Sequence, residues 1–485
     1  MYIHSSRHEA REETSQKLGE SGWGQPPAGL PHFERGELPV TLQGRALLPE
    51  DDGYSDETRT YNLRIDVRPG VVIAAASARD VQPAVRLAAA KGAPIAAMAT
   101  GHAMQPVPIG PDAVLVSTRA MRGITVEAEA RTARIEAGVT WGEAVAEITK
   151  FGLAPLNGAS PSVGVVGFVL AGGHSPTLGR AYGYAADHVN SIEVVTADGK
   201  LRTVTAVSDP ELFFGLRGGK GNFGIVTAVE IELFPITTLY GGSIFFPGKS
   251  ATAVLDAYRE WVKTVPDSMS SSAALLRMPD APTLPEPLRG KQVVSIRISC
   301  TDPSENAAAL VEPLRTVTTP IMDTVREMPY ADCASIHSDP VDPTAVLERA
   351  GLLRELTPET VDALVAVTEE TTAPPDLLEI RHLGGAFARQ PGVPNAISYR
   401  DAAFTLFIAN IGGSIDANAI ESAQTMAIER LRPWCTGYTL LSFMSDADTT
   451  EQGYTPEVYR RLASLKQRVD PFNLFRLNHN ICPEV

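Results

Sequence analysis

No stretch of this sequence approaches the roughly 18–20 consecutive apolar residues that a membrane span requires, so a bilayer-embedded protein is not expected. Cysteine is scarce: Cys300, Cys333, Cys435 and Cys482 are the four in the chain. None has CxxC spacing, so neither a zinc site nor a redox dithiol is indicated and no metal is expected. So low a density also argues against a disulfide framework and fits a reducing, cytoplasmic setting. Positive charge is short as well. Lys and Arg number 42 against 57 Asp and Glu, a formal net charge of −15. An acidic surface repels phosphate backbones and anionic lipid, so neither nucleic acid nor membrane is an expected partner. A small neutral, cationic or apolar molecule suits it better. The first 33 residues lack the apolar core of a signal peptide; their charge and Pro/Gly tail suggest an arm over 1–40, helical around 7–19.

A length of 485 residues exceeds one core and predicts two to four domains. The organisation shifts near residue 236, from short apolar strands and glycine loops to longer helical patterns with proline-rich joints and renewed strands. Ser77 opens a helix with Asp80 three residues on, a capping-box-like start, with Pro83 in the first turn and Gly92 closing it. A small buried strand over 94–100 then runs into Gly101-His102, a loop at the end of a core strand. A second helix is predicted over 141–151, capped by Thr140 with Glu143.

The run 158–173, GASPSVGVVGFVLAGG, holds five glycines in sixteen residues. Such a run admits two readings: a cradle whose amides approach a flat or phosphorylated ligand, or a tightly packed turn. Residues 190–207 read as a hairpin about Asp198-Gly199. GKGNFG at 219–224 matches G-x-G-x-x-G but precedes IVTAVEIELF, a strand by its alternation. The dinucleotide fingerprint must open a helix, so a nicotinamide site is not expected.

Taken in order, these motifs resemble one family. Gly101-His102, GASPSVGVVGFVLAGG, Arg180-Ala-Tyr182-Gly183 with Asp187, ELFFGLRGGKGNFGIVT and the terminal VDPFNLFRLNHNICP are similar to the berberine-bridge-enzyme-like branch of the vanillyl-alcohol-oxidase flavoproteins, with a PCMH-type FAD-binding domain. The resemblance implies an α+β fold: an FAD-binding domain of two α+β subdomains over 41–236, a substrate domain with a large antiparallel sheet backed by helices over 237–453, and a return to the FAD domain over 454–485. It implies that FAD is held by Thr100, Gly101 and His102, by Ser160, Val163, Gly164, Gly167, Gly172 and Gly173, by Gly224, Ile225 and Val226, and by Asn478 and Asn480. In many relatives a histidine at the position of His102 is joined to the flavin 8-methyl carbon; otherwise it hydrogen-bonds the ring or the chain. Met98 and Thr100 depart from the usual R-x-G-G-H. Ser160 stands where bicovalent members carry a cysteine, so no cysteinyl link is expected.

The implied activity is that of an FAD-dependent oxidoreductase, oxidase or dehydrogenase, acting on a bulky, partly apolar secondary metabolite by hydride transfer, with O2 a candidate electron acceptor. A non-redox cyclisation on the same scaffold and a ligand-binding protein with a vestigial flavin site are the alternatives. For the base, Tyr454 sits in a broken tyrosine-rich stretch, and Tyr399 and Arg400 are the polar members of an expected strand over 396–409. His174 is an acid–base candidate where relatives carry small residues. Each of these also has a purely structural reading. Phe387, Phe404, Phe407 and Phe443 suggest an apolar, aromatic substrate side, although core packing would use the same residues.

Overall fold

Short β-branched runs separated by glycine turns assemble into three sheets in the computed structural model, which describes residues 31–103, 108–369, 373–413, 415–445 and 448–484. The helix expected around 7–19 lies outside the described residues. The first sheet orders strands Arg45–Leu47, Val71–Ala74, Val114–Ser117 and Ile95–Met98. Its last three are parallel. Parallel neighbours need a crossover, and helix Ala78–Lys91 supplies it, closed by Gly92 at φ 64°. Pro83 lies inside that helix rather than in its first turn. Asp80 does not cap Ser77; its carboxylate accepts N–H groups from Gln43 (2.8 Å), Gly44 (3.0 Å) and Ala76 (2.9 Å), tying the first strand to the helix.

The second sheet is antiparallel, in the order Ile124–Glu127, Thr132–Glu136, Ile225–Glu232, Val189–Val195 and Leu201–Val204. Gly199, at φ 69°, makes the hairpin turn between its last two members. GKGNFG indeed runs into strand Ile225–Glu232. Thr140 donates its N–H to Glu143 Oε2 at 3.0 Å, starting helix Trp141–Ile148 as the sequence suggests. The glycine run is not all loop: Val165–Leu170 is a short helix that begins after Gly164.

The third sheet has eight strands, all antiparallel, drawn from 238–411. At its centre run Gln292–Cys300, Met269–Arg277, Leu377–His382, Phe404–Ile411 and Val346–Leu353. Period-2 alternation splits these strands by face. Ile296, Ile298, Leu378, Ile380, Leu406 and Ile408 pack with helices Ala251–Trp261, Ser304–Arg315, Pro358–Glu369 and Ala417–Leu431 in one apolar core. The other face carries Arg297, Glu379, Arg381, Thr405 and Phe407. The strand expected from 396 begins only at Phe404. Tyr399 is at φ 54°, and the Ala402 N–H turns back to the Tyr399 carbonyl, so the chain bends before it can pair.

Helix Pro456–Val469 returns the chain to the first half. Lys466 and Asp470, both fully buried, pair at 2.8 Å. Lys466 also donates to the carbonyls of Asn222 and Phe475, while Asp470 accepts the N–H groups of Leu474 and Phe475. The Leu474 carbonyl in turn receives the Ile95 N–H. These bonds fix the terminal segment against the first sheet and the 219–224 turn. The architecture is α+β, and among the described residues no helix is long and apolar enough to cross a membrane.

Candidate active site

Strand Ile95–Met98 ends in Ala99-Thr100-Gly101-His102, and Gly101 takes φ 76° there. A Cβ on Gly101 would lie 2.8 Å from Thr60 Cα, so only glycine lets this loop lie against residues 60–61. The turn delivers the His102 ring onto Tyr61, stacked at 3.8 Å. His102 Nδ1 is 3.0 Å from Thr100 Oγ1 and Nε2 is 3.3 Å from Ser162 Oγ, which meets Ser160 Oγ at 2.9 Å. Burial lowers the His102 pKa to about 4, so the ring is neutral at ordinary pH.

These residues form one side of a cavity of about 450 Å³. Ala96 to His102, the 158–167 segment and Gly224 to Val226 make a wall with few projecting side chains, and Asn478 and Leu477 close its end. Lys220, at φ 54°, enters the same wall beside His479. His479 Nε2 lies 2.8 Å from the Ser445 carbonyl, which can only accept, so that nitrogen holds the proton. Nδ1 therefore offers its lone pair to the Lys220 ammonium at 3.0 Å. Burial lowers the Lys220 pKa to about 8.

Opposite stands the third sheet. Val346 and Glu348, Leu377 and Arg381, and Phe407, Ala409 and Ile411 line the cavity from three adjacent strands, with Phe443 beside them. At one end this face turns polar. Glu379, fully buried, accepts from Arg297 Nη1 at 2.7 Å and Ser272 Oγ at 2.6 Å. Its other oxygen accepts from Arg381 Nε at 3.0 Å and Nη2 at 2.9 Å. Both arginines hold its carboxyl well below the usual carboxylate range despite burial. The Arg381 guanidinium also lies 5.1 Å above the Phe443 ring centroid.

The sequence-derived residues divide sharply. Thr100, Gly101, His102, Ser160, Val163, Gly164, Gly167, Gly224, Ile225, Val226 and Asn478 share the cavity wall. Gly172, Gly173 and Asn480 are not part of it. Gly172 and Gly173 have φ of 93° and 76° and accept the N–H groups of Ala186 and Ala185. A Cβ on Gly173 would sit 2.6 Å from Ala185 Cβ, so packing accounts for that glycine. Asn480 turns its amide to Cys482.

Among the catalytic candidates, His174 lies on the wall, stacked on Phe387 at 4.8 Å with neither ring nitrogen hydrogen-bonded. Burial, reinforced by Arg381, lowers its pKa to about 3. Tyr454, Tyr399 and Arg400 are off the wall. The Tyr454 hydroxyl donates to the Gly218 carbonyl at 2.8 Å, and Tyr399 donates to the Tyr454 carbonyl at 2.5 Å. Arg400 is consumed by Asp187, at 2.6 and 3.1 Å, and by the carbonyls of Phe387 and Arg389. Phenols bonded to peptide carbonyls away from the cavity have no route to a substrate proton. That removes the geometric ground for reading Tyr454 or Tyr399 as the base, or Arg400 as its activator.

Residues that the sequence reading missed include Tyr61, Lys220, Glu348, Glu379, Arg381 and His479. One signal was available. In Leu377-Leu-Glu-Ile-Arg-His382 the charges fall at alternate positions of an apolar strand, placing Glu379 and Arg381 on one face.

The comparisons agree with this anatomy. The FAD binding domain family matches residues 69–205, and the family described as berberine and berberine like matches 444–482. (R)-6-hydroxynicotine oxidase of Paenarthrobacter nicotinovorans is 28% identical over 467 residues, covering 92% of this chain and 98% of that protein. An FAD-linked oxidoreductase of Dictyostelium discoideum is 24% identical, covering 92% and 96%. The crystal structure of 6-hydroxy-D-nicotine oxidase from Arthrobacter nicotinovorans superimposes with a TM-score of 0.81 at 24% identity, over 92% of this chain and 99% of that one. Xylooligosaccharide oxidase from Myceliophthora thermophila gives 0.79 at 18% identity, over 91% and 98%. The chain is an enzyme that uses FAD, a member of the berberine-bridge-enzyme-like family of FAD-linked oxidoreductases.

Proposed function

We propose that the cavity holds FAD along its glycine-rich wall and that a bulky, partly apolar secondary metabolite is oxidised between the cofactor and the third sheet. One observation carries this reading: two facing walls of opposed chemistry bound a single space. On one, backbone and small residues leave room for a ligand; a Cβ on Gly167 would meet nothing within 4 Å. The other presents Leu377, Phe407, Ile411 and Phe443 with a few polar groups. The residues present fit FAD. Lys220 is a cation on the wall for an anionic group, and the buried Asn478 Oδ1, which lacks a partner, is an acceptor for a ligand N–H.

Bound FAD supplies the hydride acceptor for such an oxidation. The names of two full-length relatives, a hydroxynicotine oxidase and a xylooligosaccharide oxidase, support O2 as the final electron acceptor here. His174 is the group we assign to meet the substrate's O–H or N–H, because it lines the cavity and its neutral imidazole has no hydrogen-bond partner. The direct test is anaerobic mixing with candidate alcohols and amines. Bleaching of the flavin band near roughly 450 nm is expected with a substrate; conversion of a substrate with the flavin left oxidised would favour non-redox chemistry instead.

His102 is the proposed attachment point. It is neutral, half-buried and fixed by Tyr61, Thr100 and Ser162, so a ring nitrogen lone pair is available to a carbon electrophile. Acid precipitation should leave the flavin with the protein pellet. The substitution His102→Ala should move it to the supernatant, and Ser160→Ala should not. Flavin released from the wild-type protein would mean that His102 only hydrogen-bonds.

A further inference from the structure

Behind Arg381 and His174 the cavity narrows into a small polar pocket of about 10 Å³, lined also by Ser270, Ser272, Arg297 and His337. That is room for about one water molecule. We propose that the mouth of this pocket, between Arg381 and His174, is a subsite for an oxyanionic substituent of the substrate, a carboxylate or a phenolate. This rests on the reading that the cavity takes a small molecule beside FAD.

Three features point the same way. First, Arg381 is set before any ligand arrives: Glu379 fixes one edge of the guanidinium and Phe443 covers it. A held guanidinium loses little freedom on binding an oxyanion. Second, the charges do not balance. Arg297 and Arg381 face the single carboxylate of Glu379, while His174 and His337 are kept neutral by burial. Asp339 also faces the arginines, but its burial disfavours the ionised form. Glu348 lies farther along the sheet, across Ala409 and level with Leu377, and Lys220 is on the opposite wall. A buried cation without a counter-charge is costly, and an anionic ligand group relieves that cost.

Third, the surrounding polar atoms lack partners. The hydroxyls of Ser270, Ser299 and Thr405 are buried without a hydrogen bond, as are both nitrogens of His174 and of His337. Buried polar groups are almost always satisfied, and the hydroxyls together with one N–H of each neutral imidazole are donors, so this set awaits acceptor oxygens, with a water hydrogen for an imidazole lone pair. One water in the pocket and one oxyanion at its mouth would meet that need, with the apolar remainder of the ligand against Leu377, Phe407 and Phe443.

The test is a titration of the FAD-loaded protein with benzoate and with benzamide, its uncharged counterpart, followed by flavin difference absorbance and by calorimetry. Benzoate should bind at least tenfold more tightly than benzamide. Arg381→Met should abolish the preference, and Arg381→Lys should keep part of it. Glu379→Gln should strengthen benzoate severalfold by removing the balancing carboxylate, a change of sign that mere structural damage would not produce. Equal binding of the two probes to the wild-type protein overturns the subsite without any variant. So does a preference that survives Arg381→Met, or weaker benzoate binding in Glu379→Gln. Failure of every candidate to bleach the flavin would remove the redox reading yet leave this titration readable.

Discussion

Lowering the pH from 7 to 5 is expected to destabilise the protein by several kcal/mol and to lower its thermal midpoint by several degrees, at about 1 °C per kcal/mol for a chain of this length. The cause is a set of histidines buried in the neutral form. Burial brings His102 to about 4 and His174, His382 and His479 to about 3, against an ordinary value of 6.5. His337 lies well below its ordinary value for the same reason. Arg381, Arg180, Lys220 and Arg297 each add repulsion to one of the last four. The sign follows from proton counting. Below about pH 6.5 the unfolded chain protonates these rings while the folded chain does not, so acid favours unfolding. The stabilisation is complete above that value and is lost as pH falls toward 4 and then 3. Each group loses about 1.4 kcal/mol per pH unit in this window. The four groups brought to about 3 or 4 set an upper figure of roughly 8 kcal/mol at pH 5, and His337 acts in the same direction. Asp339, Asp376 and Asp448, raised by burial, oppose the trend, since the folded state protonates them first. Thermal unfolding of one preparation at pH 7, 6 and 5 measures the effect. A midpoint unchanged over that range would mean that these rings titrate normally and are not buried as described.

What the sequence disclosed depended on how far apart the cooperating residues lie. Gly92, Thr140 with Glu143, and Asp198-Gly199 act within a few residues of themselves, and each marks the boundary or turn it suggested. The strand after GKGNFG was legible for the same reason, because alternation is local. The residues of the cavity wall proposed for FAD could be named because glycines and His102 cluster in short segments whose order resembles a family. Arg400 was misread because its partner, Asp187, is 213 residues away and invisible to local pattern. The polar cluster failed on the same ground. Ser272 meets both Arg297 and Arg381 only through antiparallel registers spanning strands near 272, 297 and 381. The polar candidates Tyr399 and Arg400 were expected on a strand over 396–409, whereas the charges stand on the neighbouring strand Leu377–His382, with Glu379 paired to Phe407 and Arg381 to Thr405. Gly172 and Gly173 looked like ligand contacts because a left-handed backbone carries the same letter whether it faces a cofactor or, as here, Ile397 for Gly172 and Phe168 and Ala185 for Gly173.

Replacing Gly167 by leucine is expected to abolish FAD binding without unfolding the protein. Gly167 lies in helix Val165–Leu170, on the cavity wall, with open space where a Cβ would be. Leucine is a better helix former than glycine by roughly 0.5–1 kcal/mol, so the fold gains locally. Its side chain can extend only into the space assigned to the cofactor. Steric exclusion from a preformed site leaves no cheap accommodation, because the neighbouring Val163, Gly164 and Val166 are part of the same wall. The comparison that isolates the site is with Gly413→Leu, another glycine with nothing within 4 Å of its Cβ, in the bend after Ile411 and not itself part of the cavity wall. The decisive measurement is flavin bound per chain, read from the visible absorbance of the purified, folded variants after incubation with excess FAD. About one flavin per chain is expected in the wild type and in Gly413→Leu, and essentially none in a Gly167→Leu protein whose circular dichroism and thermal midpoint match those of the apoprotein. A folded Gly167→Leu variant that retains a full complement of flavin would contradict the assignment of this cavity to FAD.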